Sequence, residues 1–451
     1  MKKIYIKDLL RIIPGSKLLS GNTDMELSNF CKDTRIIKKN DIYLGIKGEK
    51  FDGNLFFSDA FNKGAKAIIV DNPNIDYSKY NDKGVVLVPN TIECIQALAK
   101  YKRSLYNIPL VAITGSVGKT TTKDMIAKVL STKYNVLKTE GNYNNEIGLP
   151  LTILNLTDEN AMVIEMGMSS MGEISLLSKI AKPTIGVITT IGSSHIEYLG
   201  SRENILKAKL EILDGMEEGK LIINNDNDLL HKYYLDNKDN IISVGIKNNS
   251  DYMAYDISKD YSTFKVNNII VNNQYQNEEY ILNMLLAYAV GKELDISDDK
   301  YQEAINNLVL TSKRLELIEN NKEYIIINDA YNASPESMKV SIEYLSRQKS
   351  KRKIAVLGDM LELGTFAKEM HESVGNMLTK YNIDILVTVG TLSKHIALGA
   401  LHSGMEEKNI YSFDNNQECI EFLKEYLKPK DAIIFKASNG MKLYEIIDKI
   451  K

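Results

Sequence analysis

The segment Ile113-Thr-Gly-Ser-Val-Gly-Lys-Thr-Thr-Thr122 limits what this chain can fold into more than any other. An apolar run, Val111-Ala-Ile-Thr114, leads into a turn with glycines at 115 and 118, and Lys119, Thr120 and Thr121 then open a helical pattern. A buried strand that ends in a glycine turn at a helix start aims backbone N–H groups at one point, and the helix dipole adds positive potential there. The peptide groups of Gly115, Ser116, Val117 and Gly118 would cradle phosphate oxygens, Lys119 would reach the β- and γ-phosphates, and the Thr120 hydroxyl could ligate Mg²⁺. Ile113 stands where the general form of this loop has glycine, so the loop is a shortened version. ATP is the expected ligand.

The same alternation of strand, turn and helix runs through the rest of the chain. Met162-Val-Ile-Glu165, Ile185-Gly-Val-Ile-Thr189 and Leu221-Ile-Ile-Asn224 are further apolar runs, which predicts a parallel sheet covered by helices on both faces. After Arg314 a second series begins: Tyr324-Ile-Ile-Ile-Asn328, Ile354-Ala-Val-Leu357, Ile385-Leu-Val-Thr-Val389 and Ala432-Ile-Ile-Phe435, the pattern of a Rossmann-like domain. Upstream, residues to about Asn81 mix short strands such as Ala67-Ile-Ile-Val70 with turns such as Phe51-Asp-Gly-Asn54, and Ile92 to Tyr106 has helical spacing. The polar, Tyr- and Asn-rich stretch from Asp251 to Asn277 is expected to form a short antiparallel excursion. A length of 451 residues exceeds what one core usually serves. Three α/β domains are therefore expected: a small one over residues 1–85, a central parallel-sheet ATPase domain of P-loop type over 86–312, and a Rossmann-like domain over 313–451.

Composition narrows the class. A net charge of −3 argues against a nucleic-acid backbone as partner, because that needs a concentrated basic surface. No apolar run approaches the ~20 residues needed to span a bilayer, and the N-terminus lacks the apolar core of a signal peptide, so a cytoplasmic protein is expected. Cys31, Cys94 and Cys419 are scattered and odd in number, which suggests neither a disulfide framework nor a zinc site. No heptad pattern appears, and a monomer is expected.

Two further residues fall at strand ends, where doubly wound folds bind ligands. Glu165 closes one run and is a candidate Mg²⁺ ligand, although a solvated strand-end carboxylate is the plainer reading. His195 follows another run and is a possible metal ligand or general base. In Ile205-Leu-Lys-Ala-Lys-Leu-Glu-Ile212, periodicity makes Lys209 an ordinary solvated helix lysine.

Taken in order, the loop Thr114 to Thr122, Gly141-Asn-Tyr-Asn-Asn-Glu-Ile-Gly-Leu-Pro150, Glu165-Met-Gly167, His195 with Gly200-Ser201, and Ala208-Lys209 resemble the ATPase motifs of the Mur ligases. Asp329-Ala-Tyr-Asn-Ala-Ser-Pro335 with Ser337-Met338, and Ala355-Val-Leu-Gly-Asp-Met-Leu-Glu-Leu-Gly364, are similar to the branch of that family that adds D-alanyl-D-alanine. Asp33-Thr-Arg35 and Gly48-Glu-Lys-Phe-Asp-Gly53 resemble its UDP-substrate domain. The likeness is collinear over essentially the whole chain.

The resemblance implies an activity and a set of roles. The activity is ATP-dependent amide-bond formation between UDP-N-acetylmuramoyl-tripeptide and D-alanyl-D-alanine, through an acyl phosphate. Lys119 would hold the ATP phosphates, Thr120 and Glu165 one Mg²⁺, and His195 a second. Lys209 matches a lysine that is carbamylated by CO₂ in the family and would supply a carboxylate near that second metal. Asn283 would lie near the adenine, Arg314 near the phosphates, and Asp329 toward the nucleotide, with Tyr331 and Asn332 toward the incoming amine. Asp33, Thr34, Arg35, Asp52, Gly53, Asn142, Asn144 and Asn145 would hold the UDP-sugar. The chain departs from the family pattern at Glu279-Tyr280, where a His-Asn pair is usual, at Asn328 and Ser334, and at Lys436-Ala-Ser-Asn439 in place of Lys-Gly-Ser-Arg. A sister ligase adding a diamino acid and a folylpolyglutamate synthetase are the rivals, and Tyr331 to Pro335 with Leu357 to Met360 speaks against both. An inactive ATP-binding module is the rival from another class, opposed by the joint presence of Lys119, Glu165, His195 and Lys209.

Overall fold

Apolar runs buried on both faces build the middle of the molecule. The computed structural model describes residues 2–319 and 323–451. Its largest sheet has nine strands in the order Ile269–Asn272, Thr263–Val266, Tyr252–Tyr255, Ile241–Gly245, Lys220–Asn224, Ile185–Ile188, Leu110–Thr114, Ala161–Glu165 and Val136–Lys138. The strands from Tyr252–Tyr255 through Val136–Lys138 run parallel, and all five residues of Leu110–Thr114 and of Ala161–Glu165 are buried. Such strands need helices on both faces, and the helices Lys119–Leu130 and Glu278–Glu293 pack together on one of them. The chain leaves Leu110–Thr114 toward one side of the sheet and later returns to its other side, so the carboxyl ends of Leu110–Thr114, Ala161–Glu165 and Ile185–Ile188 flank a topological switch point.

The short antiparallel excursion expected after Asp251 is present and prolongs this sheet at its edge. Tyr252–Tyr255 pairs parallel with Ile241–Gly245, and only Thr263–Val266 and Ile269–Asn272 turn antiparallel. These outer strands alternate buried and exposed residues, which is why they read as polar.

On the N-terminal side, a five-stranded sheet is ordered Lys17–Ser20, Gly84–Leu87, Ala67–Val70, Ile42–Leu44 and Phe30–Cys31, with a two-stranded ribbon of Ile4–Tyr5 and Glu26–Leu27 beside it. The helix Thr91–Ser104, capped by the Asn90 side chain on the N–H groups of Ile92 and Glu93, leads into the central sheet. On the C-terminal side a six-stranded sheet runs Glu316–Ile318, Ile325–Asn328, Asp431–Lys436, Arg352–Gly358, Ile385–Val389 and Ile410–Phe413, parallel except at its first strand. The three-domain α/β architecture expected from the sequence is therefore present. The cysteines are free, with Cys94 and Cys419 buried, and among the described residues no helix is long and apolar enough to cross a membrane.

One buried acid ties the central domain to the chain that leaves it. Asp124, on the helix that follows the phosphate loop, accepts hydrogen bonds from the Thr311 N–H at 2.9 Å and the Thr311 hydroxyl at 2.6 Å, and it pairs with Lys138 at 3.1 Å and Lys123 at 3.5 Å. Burial alone would raise its pKa, but Lys123, the Thr311 hydrogen bonds and Lys138 together hold it below the usual carboxylate value. A depressed folded-state pKa gives stability that is complete above the unfolded value, about 3.9, and is lost as pH falls through the folded one. Asp124→Asn is therefore expected to destabilise by about 1–3 kcal/mol at neutral pH. The deficit should shrink on acidification below the unfolded value, and urea midpoints for both proteins across that range check the prediction.

Candidate functional site

A cavity of about 500 Å³ opens at the switch point, between the carboxyl ends of the central strands and the C-terminal domain. Strand register sets its floor. Glu165 pairs with Ile113 and Ile188 with Thr114, so the phosphate loop, Glu165 and the Thr189–His195 loop emerge at one level.

Local contacts make the phosphate loop a rigid turn. Gly115 has φ +152°, and a Cβ there would lie 1.9 Å from the Thr189 hydroxyl, so both backbone angle and space demand glycine. Gly118, at φ +88°, precedes the helix Lys119–Leu130 and abuts the Asn283 side chain. Thr189 Oγ1 donates to the Val117 carbonyl, the Ser116 N–H to the Thr190 carbonyl at 2.9 Å, and the Gly192 N–H to Ser116 Oγ at 2.9 Å. The loop is thus laced to its neighbour from both ends.

Lys119 folds over this turn, its Nζ donating to the Gly115 carbonyl at 2.7 Å. Burial pushes its pKa below the usual lysine value; Glu165 opposes that shift and Arg314 adds to it. Thr120 Oγ1 donates to Glu165 Oε2 at 2.9 Å, and Asn144 Nδ2 to Glu165 Oε1 at 2.9 Å. Hydroxyl and carboxylate oxygens converging on the cavity are the donor set of a hard divalent cation. Among the described residues no three His, Cys, Asp or Glu side chains cluster as a metal cage, so such an ion would complete its shell with ligand phosphates and water, the habit of Mg²⁺.

Across the cavity the C-terminal domain supplies cations and amides. Arg314 lies over the Tyr331 ring, 4.2 Å from its centroid, and its Nη2 reaches Thr120 Oγ1 at 3.4 Å. Among the described residues the buried Arg314 Nε has no hydrogen-bond partner. His195, in the left-handed backbone region at φ 65°, has Nδ1 2.6 Å from Glu362 Oε2 of the C-terminal domain. Glu362 is held below the usual glutamate value, mainly by that contact.

Of the residues singled out in the sequence, Ser116, Val117, Gly118, Lys119, Thr120, Asn142, Asn144, Asn145, Glu165, His195, Arg314, Tyr331 and Asn332 all line this one cavity. Others lie behind or away from it. Thr121 is buried on the phosphate-loop helix, and Asn283 stands behind the loop, its Oδ1 accepting from Thr122 Oγ1 at 3.1 Å. Asp329 faces the interior of its own domain: Lys436 Nζ lies 2.6 Å from Oδ2, Ser341 Oγ donates to Oδ2, and the Leu315 N–H donates to Oδ1 at 3.2 Å. Its carboxylate orients the chain next to Arg314 and does not point at the cavity. Asp33, Thr34, Arg35, Asp52 and Gly53 lie in the N-terminal domain outside the cavity lining. There Arg35 forks onto the Asp33 carboxylate, holding it at about 2, and Asp52 caps the turn at Asn54.

Lys209 is the clearest departure from periodicity. It is 1% exposed, not solvated, and among the described residues no hydrogen bond or ion pair reaches its side chain. Burial and the nearby Lys119 push its pKa well below the usual lysine value. At two of the family departures, Tyr280 stacks on Tyr275 with centroids 4.4 Å apart, and Ala437 sits against Gly358. Sequence reasoning gave no role to Glu173, Ser194, Ser337, Glu362, Asn439 or Gly440, which also line the cavity. Ser337, Glu362 and Asn439 lay within motifs already marked, and the other three did not.

Comparison with known proteins agrees with this geometry. Residues 113–291 match the Mur ligase middle domain, and residues 313–439 match the Mur ligase glutamate ligase domain. A UDP-N-acetylmuramoyl-tripeptide–D-alanyl-D-alanine ligase of Bacillus subtilis is 37% identical over 99% of this chain and 98% of its own length. The enzyme of the same name from Synechocystis is 33% identical over 95% of this chain and 92% of its own. Among solved structures, MurF from Acinetobacter baumannii superposes with a TM-score of 0.88 at 26% identity, covering 100% of this chain and 99% of that one. MurF from Thermotoga maritima in complex with ADP gives 0.80 at 29% identity, over 94% and 97%.

Gly115→Ala would drive a methyl into Thr189, and relieving such overpacking costs about 1–3 kcal/mol, so binding of a nucleoside triphosphate should weaken by about tenfold. Thr189→Ala in that background should recover part of the loss, the rest being the backbone angle. Titration calorimetry on the three proteins checks both expectations.

Proposed function

The chain belongs to the Mur ligase family, and on that premise we propose that it joins D-alanyl-D-alanine to UDP-N-acetylmuramoyl-tripeptide, with ATP converted to ADP and phosphate. The observation that carries this reading is the single cavity in which Lys119, Thr120 and Glu165 of the central domain face Arg314, Tyr331 and Asn332 of the C-terminal domain. A nucleotide on one wall and an amine on the other would meet there.

A carboxylate repels an incoming nucleophile and has no leaving group. Transfer of the γ-phosphoryl group from ATP to an oxygen of the tripeptide's terminal carboxylate gives an acyl phosphate and ADP. The neutral amine of the dipeptide then attacks the acyl carbon, phosphate leaves with the former carboxylate oxygen, and the amine loses its proton as the amide forms. Lys119 and Arg314 would counter the charge on the moving phosphoryl group. Thr120 and Glu165 would hold Mg²⁺, which would supply positive charge to offset that of the phosphates. A closed cleft between two domains keeps water from the acyl phosphate. The N-terminal domain, residues 1–85, would hold the UDP-sugar through Asp33, Thr34, Arg35, Asp52 and Gly53, together with Asn142, Asn144 and Asn145. Residues 86–312 would bind ATP, with Thr121 and Asn283 supporting the phosphate loop, and residues 313–451 would bind the dipeptide. Asp329 would keep Arg314 in place. A monomer is proposed with this reading, and the nucleotide-linked substrate suits a cytoplasmic enzyme.

Lys209 would act as a carbamate. A buried ammonium beside Lys119 has no compensating anion. The neutral amine favoured there is the form that attacks CO₂, and loss of one proton leaves a carbamate oxygen able to serve, with His195, a second Mg²⁺.

Phosphate release and amide product, measured against a panel of amines, test the main reading. Turnover is expected with the tripeptide substrate and D-alanyl-D-alanine, and little with single amino acids. Efficient use of a diamino acid without use of the dipeptide would transfer the chain to a sister branch.

Lys209→Ala should lower kcat by at least about a hundredfold if the carbamate supports charge in the transition state. Acetate should partly restore turnover. Near-normal activity of the variant in bicarbonate-free buffer would sink the carbamate.

A further inference from the structure

Glu336 makes a direct polar bridge between the C-terminal domain and the loop that braces the phosphate loop. It occupies the first turn of the helix Pro335–Ser346, whose N-cap is Ser334. Its Oε1 accepts the Ser193 N–H at 2.9 Å and the Ser193 hydroxyl at 3.0 Å, and Oε2 lies 3.2 Å from the same hydroxyl. Ser193 is only 3% exposed, so the serine side of these bonds is buried while Glu336 is half-buried. The neighbouring residue is fitted to this approach, since a Cβ on Gly192 would stand 2.8 Å from the Glu336 carboxyl.

From Ser193 the connection to the phosphate loop is short. The Gly192 N–H donates to Ser116 Oγ, the Ser194 hydroxyl donates to the Ser116 carbonyl at 3.3 Å, and Arg202 anchors the Ile191 carbonyl at 2.8 Å. Opening the cleft must break the Glu336 bonds, and closing it must restore them. A carboxylate that accepts a buried N–H and O–H is strong enough to bias that equilibrium and directional enough to report that the C-terminal domain has arrived.

We propose that Glu336 is a positioning residue that clasps Ser193 across the cleft, couples closure of the C-terminal domain to the phosphate loop, and touches no reacting atom. The kinetic part of its test rests on the ligase reading above, whereas the shape part does not.

Small-angle scattering of the full chain, with and without ADP, should show Glu336→Ala more open than the parent protein. Coincident curves in both states would overturn the clasp, whatever the chain's activity. In the ligase assay Glu336→Ala should lose about tenfold or more in kcat/KM for the dipeptide, the scale of charge-assisted hydrogen bonds. Affinity for the UDP-linked substrate should stay within about twofold, because that ligand is assigned to another domain. Glu336→Gln keeps an oxygen for the Ser193 N–H and should recover much of the loss. Ser193→Ala should add little on top of Glu336→Ala, since the two share one interaction. Additive losses, or a glutamine variant as impaired as alanine, would reduce Glu336 to an ordinary surface residue.

Discussion

The phosphate loop keeps its shape only because the end of the neighbouring strand presses against it. Thr189 lies where any side chain at 115 would sit and donates to the Val117 carbonyl, while Ser116 exchanges hydrogen bonds with Thr190 and Gly192. These contacts exist because Leu110–Thr114 and Ile185–Ile188 are adjacent parallel strands in matched register. A slip of that register would exchange the side chains on the two buried faces and move Thr189 away from the loop at once. The position of the His195 loop follows from this alignment, and the Thr120–Glu165 pair from the register of Leu110–Thr114 with Ala161–Glu165 on its other side.

Charge in the cleft is arranged with few compensating partners. Lys119 and Arg314 face the cavity and Lys209 lies buried near Lys119, with Glu165 the acid that moderates Lys119. The burial that depresses both lysines disfavours their charged forms, which is the cost these groups carry. By contrast, the Asp329–Lys436 and Asp124–Lys123–Lys138 groups are paired and hydrogen-bonded, and they hold the elements that carry the cleft. Unpaired and paired groups thus separate binding from support.

Much of the frame was legible. Continuous apolar runs such as Leu110 to Thr114 and Ile354 to Leu357 are buried on both faces, so their strand character and parallel pairing follow from composition alone. The outer strands after Asp251 read as an antiparallel excursion, but their attachment to the central sheet did not show, because one face meets water and the run is polar. Lys209 misled for a related reason: Ile205 and Ala208 are buried on the same short helix, and the surrounding core closes over the lysine as well. Asp329 ends a strand as Glu165 does, yet a lysine 107 positions later takes its carboxylate inward.

The sequence by itself determined the elements, the phosphate loop and the family, because these depend on local backbone geometry and on motifs written within a few residues. The tertiary structure decided which side chains share the cavity, that Lys209 is buried, that Asp329 supports and does not line, and that Glu362 and Glu336 reach across to His195 and Ser193. Those outcomes join residues more than a hundred positions apart, and their energies rest on desolvation and short-range hydrogen bonds. Both depend on distance through space, which packing of the domains against one another sets and spacing along the chain does not.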